Sequence, residues 1–183
     1  MCLVRDTLRG GYAGDKWGME DKEYTIQAGY NWLAPALEKV VWAPLVWLRL
    51  VVSKHNFITW LAVQSRLLTR DRLSSMGICC DIRCLLCGEA TKTHFHLFFE
   101  CIYSQKCVQL VSDWLKVTIP WQNTLDWWNQ KRIKPLLRKH IVGATVCALV
   151  YHVWQARNRC LHDHSVIRPS RLVLSIKSCL CTR

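Results

Sequence analysis

A short segment rich in cysteine and histidine constrains the fold of this chain more than any other feature. Cys84 and Cys87 form a C-x2-C pair, and a glycine follows at once. Two thiolates at this spacing can reach the same ion from one tight turn, and zinc then takes two further nitrogen or sulfur ligands. His96 and Cys101 supply these in an H-x4-C spacing. The sequence therefore predicts Zn2+ bound by Cys84, Cys87, His96 and Cys101.

The same segment leaves alternatives open. His94 could take the place of His96, and Cys79 or Cys80 could compete with Cys84. The thiols could also be buried and free of metal, since a free cysteine behaves as a small hydrophobic residue. Four protein ligands leave no open coordination position, so we expect a structural site and not a catalytic one.

The number and setting of the cysteines favour metal ligands over disulfides. The chain has 11 cysteines, an odd number, so they cannot all pair with each other. Residues 1–14 are interrupted by charged side chains and lack the apolar core of a signal peptide. We therefore expect a reducing compartment, where closely spaced thiols bind metals. The longest apolar stretch covers residues 141–150, about half of what a bilayer requires, so no membrane partner is expected.

Apolar periodicity predicts a mainly α fold: a small helical domain with an N-terminal hairpin over residues 15–26 and a Cys/His zinc knuckle. We predict helices from Ser53, after Thr69, from Ser104, over 136–162 and from Pro169. Three regions follow along the chain. Residues 1–40 form a hairpin and helix segment, residues 41–120 the zinc-binding domain, and residues 121–183 a basic helical region.

Positive charge is concentrated at the C-terminal end. The net charge is +12, and residues 121–183 contribute +9 of it, from 11 basic and two acidic residues. Such a field attracts polyanions, most commonly nucleic acid. The candidate phosphate-binding residues are Lys131, Arg132, Lys134, Arg138, Lys139, Arg157 and Arg159. Trp121, Trp127 and Trp128 lie near them and could stack on bases, although we favour a loop tucked onto the domain by these rings.

Several motifs carry a resemblance to a known family. An apolar helix contains F-I-T-W-L-A at 57–62, C-L-L-C-G-E follows at 84–89, and H-L-F-F-E-C ends at Cys101. With Trp42 and Trp47 upstream, residues 42–101 resemble the zinc-binding domain at the C-terminal end of plant LINE-type (non-LTR) reverse transcriptases. The resemblance implies zinc binding and a partner that is a reverse transcriptase or another protein chain.

Catalytic motifs are missing from the sequence. It has no Tyr-x-Asp-Asp carboxylate pair, no Walker lysine loop and no G-x-S-x-G. We therefore expect no enzyme, but a zinc-stabilised accessory module that contacts RNA or DNA through phosphates with weak specificity. The alternatives are a structural or protein-interaction module, and a decayed retroelement fragment without activity.

Overall fold

The computed structural model of the chain describes residues 12–13, 16–17, 26, 40–78, 83–88, 93–121 and 136–181. The chain divides into two compact units, residues 1–40 and residues 41–183. Among the residues described, no helix combines the length and the apolar character needed to cross a membrane.

The first unit contains a short antiparallel hairpin. Strand β1, Tyr12–Ala13, pairs with strand β2, Lys16–Trp17. The sequence predicts a hairpin here but with Lys16–Trp17 as its first strand, whereas the structure makes it the second. Ile26, expected in a strand, has helical backbone. Two residues separate the observed strands, and connections of this length are the commonest in hairpins. The turn predicted from the sequence is longer, so the observed pairing orders fewer loop residues. The rest of the predicted hairpin lies outside the described residues.

The second unit is helical, as predicted. Its described elements, in chain order, are α1 (Ala43–Val46), α2 (Ser53–Val63), α3 (Arg70–Ser75), a π-helical turn (His96–Glu100), α4 (Ile102–Leu115), α5 (Leu136–Asp163) and α6 (Pro169–Cys181). The predicted helix over 136–162 and the one from Pro169 are confirmed. Thr69 precedes α3 as expected, although its hydroxyl makes no capping hydrogen bond.

Helix α5 is the centre of this unit. Residues 142–150 are all buried, because α1, α2, α4 and α6 pack around the helix on different sides. A helix that is apolar all round is stable only when it is enclosed in this way. The Cys147 thiol, for example, donates to the Leu45 carbonyl of α1 at 3.6 Å. Helices from the predicted regions 41–120 and 121–183 therefore share one core.

Helix α2 packs partly through the face that apolar periodicity predicts. That periodicity predicts a stripe of Phe57, Ile58, Trp60, Leu61, Leu67 and Leu68. Of these, Leu67 is buried and Ile58 and Leu61 pack against the core, whereas Phe57 is 53% exposed. The most deeply buried residues of the helix are His55, Thr59 and Ala62, and the His55 ring lies 4.5 Å from the Tyr151 ring of α5 between centroids. This ring contact places a smaller, more polar side of α2 in the core as well.

Candidate metal centre

The two cysteines of the C-x2-C pair lie on a tight turn, which we call the knuckle (residues 84–88). The Gly88 N–H donates to the Cys84 carbonyl at 2.8 Å, and Gly88 has φ of +79°. This left-handed conformation favours glycine, because a Cβ atom would crowd the backbone there. Backbone N–H groups of Leu86 and Cys87 also hydrogen-bond to the Cys84 sulfur. The turn therefore presents both sulfurs to the same side.

The other two donors flank a π-helical turn. Thr93 caps its start, since its Oγ1 accepts the His96 N–H at 2.9 Å and its carbonyl accepts the Leu97 N–H at 3.0 Å. At the other end the Cys101 N–H donates to the His96 carbonyl at 2.8 Å, five residues back. Single π turns inside helices often occur at functional sites. Here the wider turn brings His96 and Cys101 to one side.

Three side chains satisfy the carbonyl groups that this turn leaves without helical partners. Ser104 Oγ donates to Leu97 O at 2.6 Å and Gln105 Nε2 to Phe99 O at 3.1 Å. Trp121 Nε1 donates to the Phe98 carbonyl, and the indole ring lies 6.1 Å from the Phe99 ring. Trp121 is buried, so it anchors the chain onto the metal turn and is not available to stack on bases. For this residue the interpretation we favoured from the sequence is confirmed. Trp127 and Trp128 lie outside the described residues.

The four donor atoms converge. The sulfurs of Cys84, Cys87 and Cys101 and an imidazole nitrogen of His96 all lie within 4.8 Å of one another. The Cys84 and Cys101 sulfurs are 3.9 Å apart, and the Cys87 sulfur is 3.4 Å from His96 Nε2.

These distances and this chemistry fit zinc. A tetrahedral zinc ion holds two sulfur ligands about 3.8 Å apart and a sulfur and a nitrogen about 3.5 Å apart. Three thiolates and one imidazole form one of the usual donor sets of structural zinc sites. Among the described residues no second group of three or more candidate metal ligands occurs.

The surroundings favour the thiolate form of Cys84. The Cys101 thiol hydrogen-bonds to the Cys84 sulfur, which lowers the pKa of Cys84 to about 4 and raises the pKa of Cys101. Backbone N–H groups of Tyr103 and Ser104, at the N-terminus of α4, also hydrogen-bond to the Cys101 sulfur. Helix N-termini stabilise thiolates, and thiolate is the form that binds metal.

The two histidines of the segment differ in position. His96 is buried, and while its Nε2 faces the Cys87 sulfur, its Nδ1 lies 3.7 Å from Glu100 Oε2. A carboxylate on the second ring nitrogen is a common way to orient a metal-binding histidine. The His94 ring packs on Phe98 at 5.0 Å, and burial lowers its pKa. The geometry therefore favours His96 over His94.

The structure separates the predicted phosphate-binding residues. Lys131, Arg132 and Lys134 lie outside the described residues. Arg138 is exposed, and its guanidinium donates to the Lys116 carbonyl at 3.2 Å, just beyond the end of α4. Lys139 is half-buried beside it on α5.

The other two candidates lie near the C-terminal end of α5. Arg157 is only 3% exposed, and its guanidinium stacks over the Trp154 ring at 4.9 Å. Because a buried guanidinium cannot reach a phosphate from solution, the expectation for Arg157 is corrected. Arg159 is exposed, 3.8 Å from Asp163. Arg168 and Arg171 are also exposed, but the candidate list from the sequence does not include them. Their position in the basic C-terminal region is the feature of the sequence that could have identified them.

Comparison with known proteins shows a similarity for this part of the chain. Residues 24–107 match the family model described as zinc-binding in reverse transcriptase. The match includes all four converging donors. No curated protein and no solved structure matches the chain.

Proposed function

Because residues 24–107 match the family model described as zinc-binding in reverse transcriptase, we propose that the chain is a zinc-stabilised module that binds RNA or DNA and has no catalytic activity of its own. In this proposal Cys84, Cys87, His96 and Cys101 are the zinc ligands. The ion would supply structure, because it would link the knuckle to the π-helical turn.

The convergence of these four donors is the observation that carries the proposal. They come from the knuckle, from the π-helical turn and from Cys101, the residue between that turn and α4. Zinc binding in small modules is worth about 10 kcal/mol or more. This is comparable with the whole stability of a typical domain, about 5–15 kcal/mol. Four protein ligands occupy a tetrahedral ion fully, which supports a structural and not a catalytic site.

Nucleic-acid binding is supported by the charge around the central helix. Residues 136–181 hold seven basic residues against one acidic residue, Asp163, and four of the seven are exposed: Arg138, Arg159, Arg168 and Arg171. Neutralising phosphates releases counterions, so a surface of this kind binds RNA and DNA with little regard to sequence. A module of this kind would hold template or target for a catalytic chain.

Metal content and nucleic-acid affinity test the two parts of the proposal separately. Mass spectrometry under native conditions should show one zinc ion per chain. Titration with single-stranded RNA and with DNA should give an affinity that falls steeply as salt rises. Natively prepared protein without zinc would refute the metal site. Affinity that is absent, or that does not respond to salt, would refute the nucleic-acid part.

A second candidate function is a protein-interaction module that braces a reverse transcriptase or another chain. It is favoured by large apolar side chains that are exposed on or next to α1 and α2: Val41, Trp47, Leu50 and Phe57. The apolar surroundings of Trp47 in the sequence predict a core position, but its side chain is 58% exposed. Large exposed apolar side chains can mark protein contacts. Recovery of a stoichiometric protein partner after nuclease treatment, with no affinity for RNA or DNA, would favour this function over the first.

A further inference from the structure

An open groove lies where the C-terminal end of α5 meets α6. Its volume is about 610 Å3, and its lining includes Arg159 of α5 and Arg171 and Ser175 of α6. The loop between the two helices is held in place, because the Tyr103 hydroxyl donates to the Ile167 carbonyl at 2.7 Å. The two arginines therefore belong to different helices but line one surface of fixed shape.

The groove is strongly positive. Arg159, Arg171 and the neighbouring Arg168 are all exposed. The one acidic residue between 136 and 181 is Asp163, whose carboxylate lies 3.8 Å from Arg159 Nε. Both side chains of that pair are largely exposed. An exposed ion pair on one helix contributes little to stability, so an anion from solution can replace the carboxylate beside Arg159. The guanidinium group matches phosphate oxygens in two-pronged geometry.

From this arrangement we propose that the groove lined by Arg159, Arg171 and Ser175, with Arg168 next to it in the sequence, binds the phosphate backbone of nucleic acid. The inference rests on the proposed function and identifies the surface that makes the contact. It differs from the sequence expectation, because it leaves out the buried Arg157 and adds two arginines from the start of α6.

The shape of the groove favours a polymer over a small anion. A site for a free phosphate encloses its ligand with buried donors, whereas these guanidinium groups lie at an open surface. Ile167 and Leu174 also line the groove, and Leu174 is 56% exposed. Apolar surface beside arginine suits the sugars and bases that accompany each phosphate. Binding of this type follows the backbone and discriminates weakly among sequences.

One wall of the groove is coupled to the metal centre. Cys160, the residue after Arg159, places its sulfur 3.3 Å from the Leu85 carbonyl in the knuckle. The position of Arg159 therefore depends on a turn that zinc would hold. The zinc-loaded full chain is accordingly the form in which the groove should be tested.

The experiment compares two double variants of the zinc-loaded full chain. R159Q/R171Q removes two charges from the groove, while R49Q/R66Q removes two exposed charges elsewhere in the same unit. The probe is a fluorescent single-stranded RNA of about 20 nucleotides, long enough to exceed common site sizes. We expect R159Q/R171Q to bind at least about tenfold more weakly than R49Q/R66Q, with a salt slope smaller by about 1.4 than in the unmodified chain, since each phosphate contact on a single strand contributes about 0.7.

A third variant and a fold check complete the design. R159K/R171K keeps both charges and should restore part of the affinity and the salt slope of the unmodified chain, but not the two-pronged contacts of guanidinium. Binding by R159K/R171K that is as weak, with as small a salt slope, as in R159Q/R171Q would contradict a charge-based contact. Zinc content and circular dichroism must match the unmodified chain in every variant. If both glutamine variants bind the RNA equally weakly, the groove is not the binding surface, but the proposed function is unaffected. If the unmodified chain itself fails to bind the RNA and a DNA of the same length, both proposals fall.

Discussion

The thiol of Cys160 donates to the carbonyl oxygen of Leu85 at 3.3 Å, although the two residues are 75 positions apart. Leu85 lies between the two cysteines of the knuckle, and Cys160 lies near the end of the central helix α5. The core helix and the metal turn therefore meet directly. A substitution in α5 at this contact should therefore weaken the metal turn, and loss of the metal should weaken the packing of α5.

Replacing Cys160 by alanine tests this coupling. The change removes the donor to Leu85 and should lower the free energy of unfolding by about 1 kcal/mol, as expected for one lost hydrogen bond. It should also speed zinc release to a chelator. Cys181, exposed at the end of α6, provides the control, and Cys181→Ala should change neither quantity. Equal behaviour of the two variants in denaturant titration and in chelator kinetics would contradict the coupling.

Removal of the metal should be visible through Trp121. Its ring is buried against the π-helical turn, and its N–H is bonded to Phe98. Chelation should loosen that turn and shift tryptophan emission to longer wavelength as the ring meets water. The shift should be smaller in Trp121→Phe. Trp47→Phe is the control, because Trp47 is already exposed and should contribute little to the change. A shift that persists in full in Trp121→Phe would disprove this account.

The choice between the two histidines can be decided by substitution. His96→Ala removes a donor from the group of four and should abolish stable zinc binding. His94→Ala removes a half-buried ring that packs on Phe98, so it should lower stability while leaving one zinc per chain. Metal analysis of both purified variants makes the comparison. Full zinc content in His96→Ala together with loss in His94→Ala would reverse the assignment.

Glu100 should strengthen the site without binding the metal. Its carboxylate lies 3.7 Å from His96 Nδ1, where it can orient the ring. We expect Glu100→Gln to weaken zinc affinity by about tenfold, at the lower end of such effects. Asp113→Asn makes the same change of charge on an exposed position of α4 and should leave the affinity unaltered. Competition with a chelator of known affinity gives both values, and equal affinities would exclude an orienting role for Glu100.

The donor set could be proposed from the sequence because its determinants are local. Cys84, Cys87 and the glycine after them belong to one turn, and the spacing of His96 and Cys101 limits how far apart they can lie. Helix α5 could be predicted equally well, because a long apolar pattern between Pro135 and Pro169 is compatible with few structures other than a helix. In both cases neighbours along the chain determine the structure.

The remaining features depend on partners far apart in the sequence. Trp121 bonds to Phe98, 23 positions away, and Tyr103 reaches Ile167, 64 positions away. Neither pairing leaves a periodic signal in the sequence. The burial of His55 and the exposure of Phe57 on α2 could not be predicted for the same reason, because the ring that His55 contacts belongs to Tyr151 on another helix. The groove likewise needs two helices to meet before its arginines share a surface.

The two glycines with positive φ allow backbone strain to be separated from metal binding. Gly88 in the knuckle has φ of +79° and Gly77 after α3 has φ of +72°, and an added Cβ would meet no atom within 4 Å at either position. Alanine at each should therefore cost a similar amount of conformational free energy, about 1 kcal/mol. Only Gly88→Ala strains the turn that carries Cys84 and Cys87, so it alone should weaken zinc affinity. Unfolding of both variants in denaturant, with and without saturating zinc, distinguishes the two effects. If Gly77→Ala lowers zinc affinity as much as Gly88→Ala does, the knuckle is not the element that sets the metal geometry.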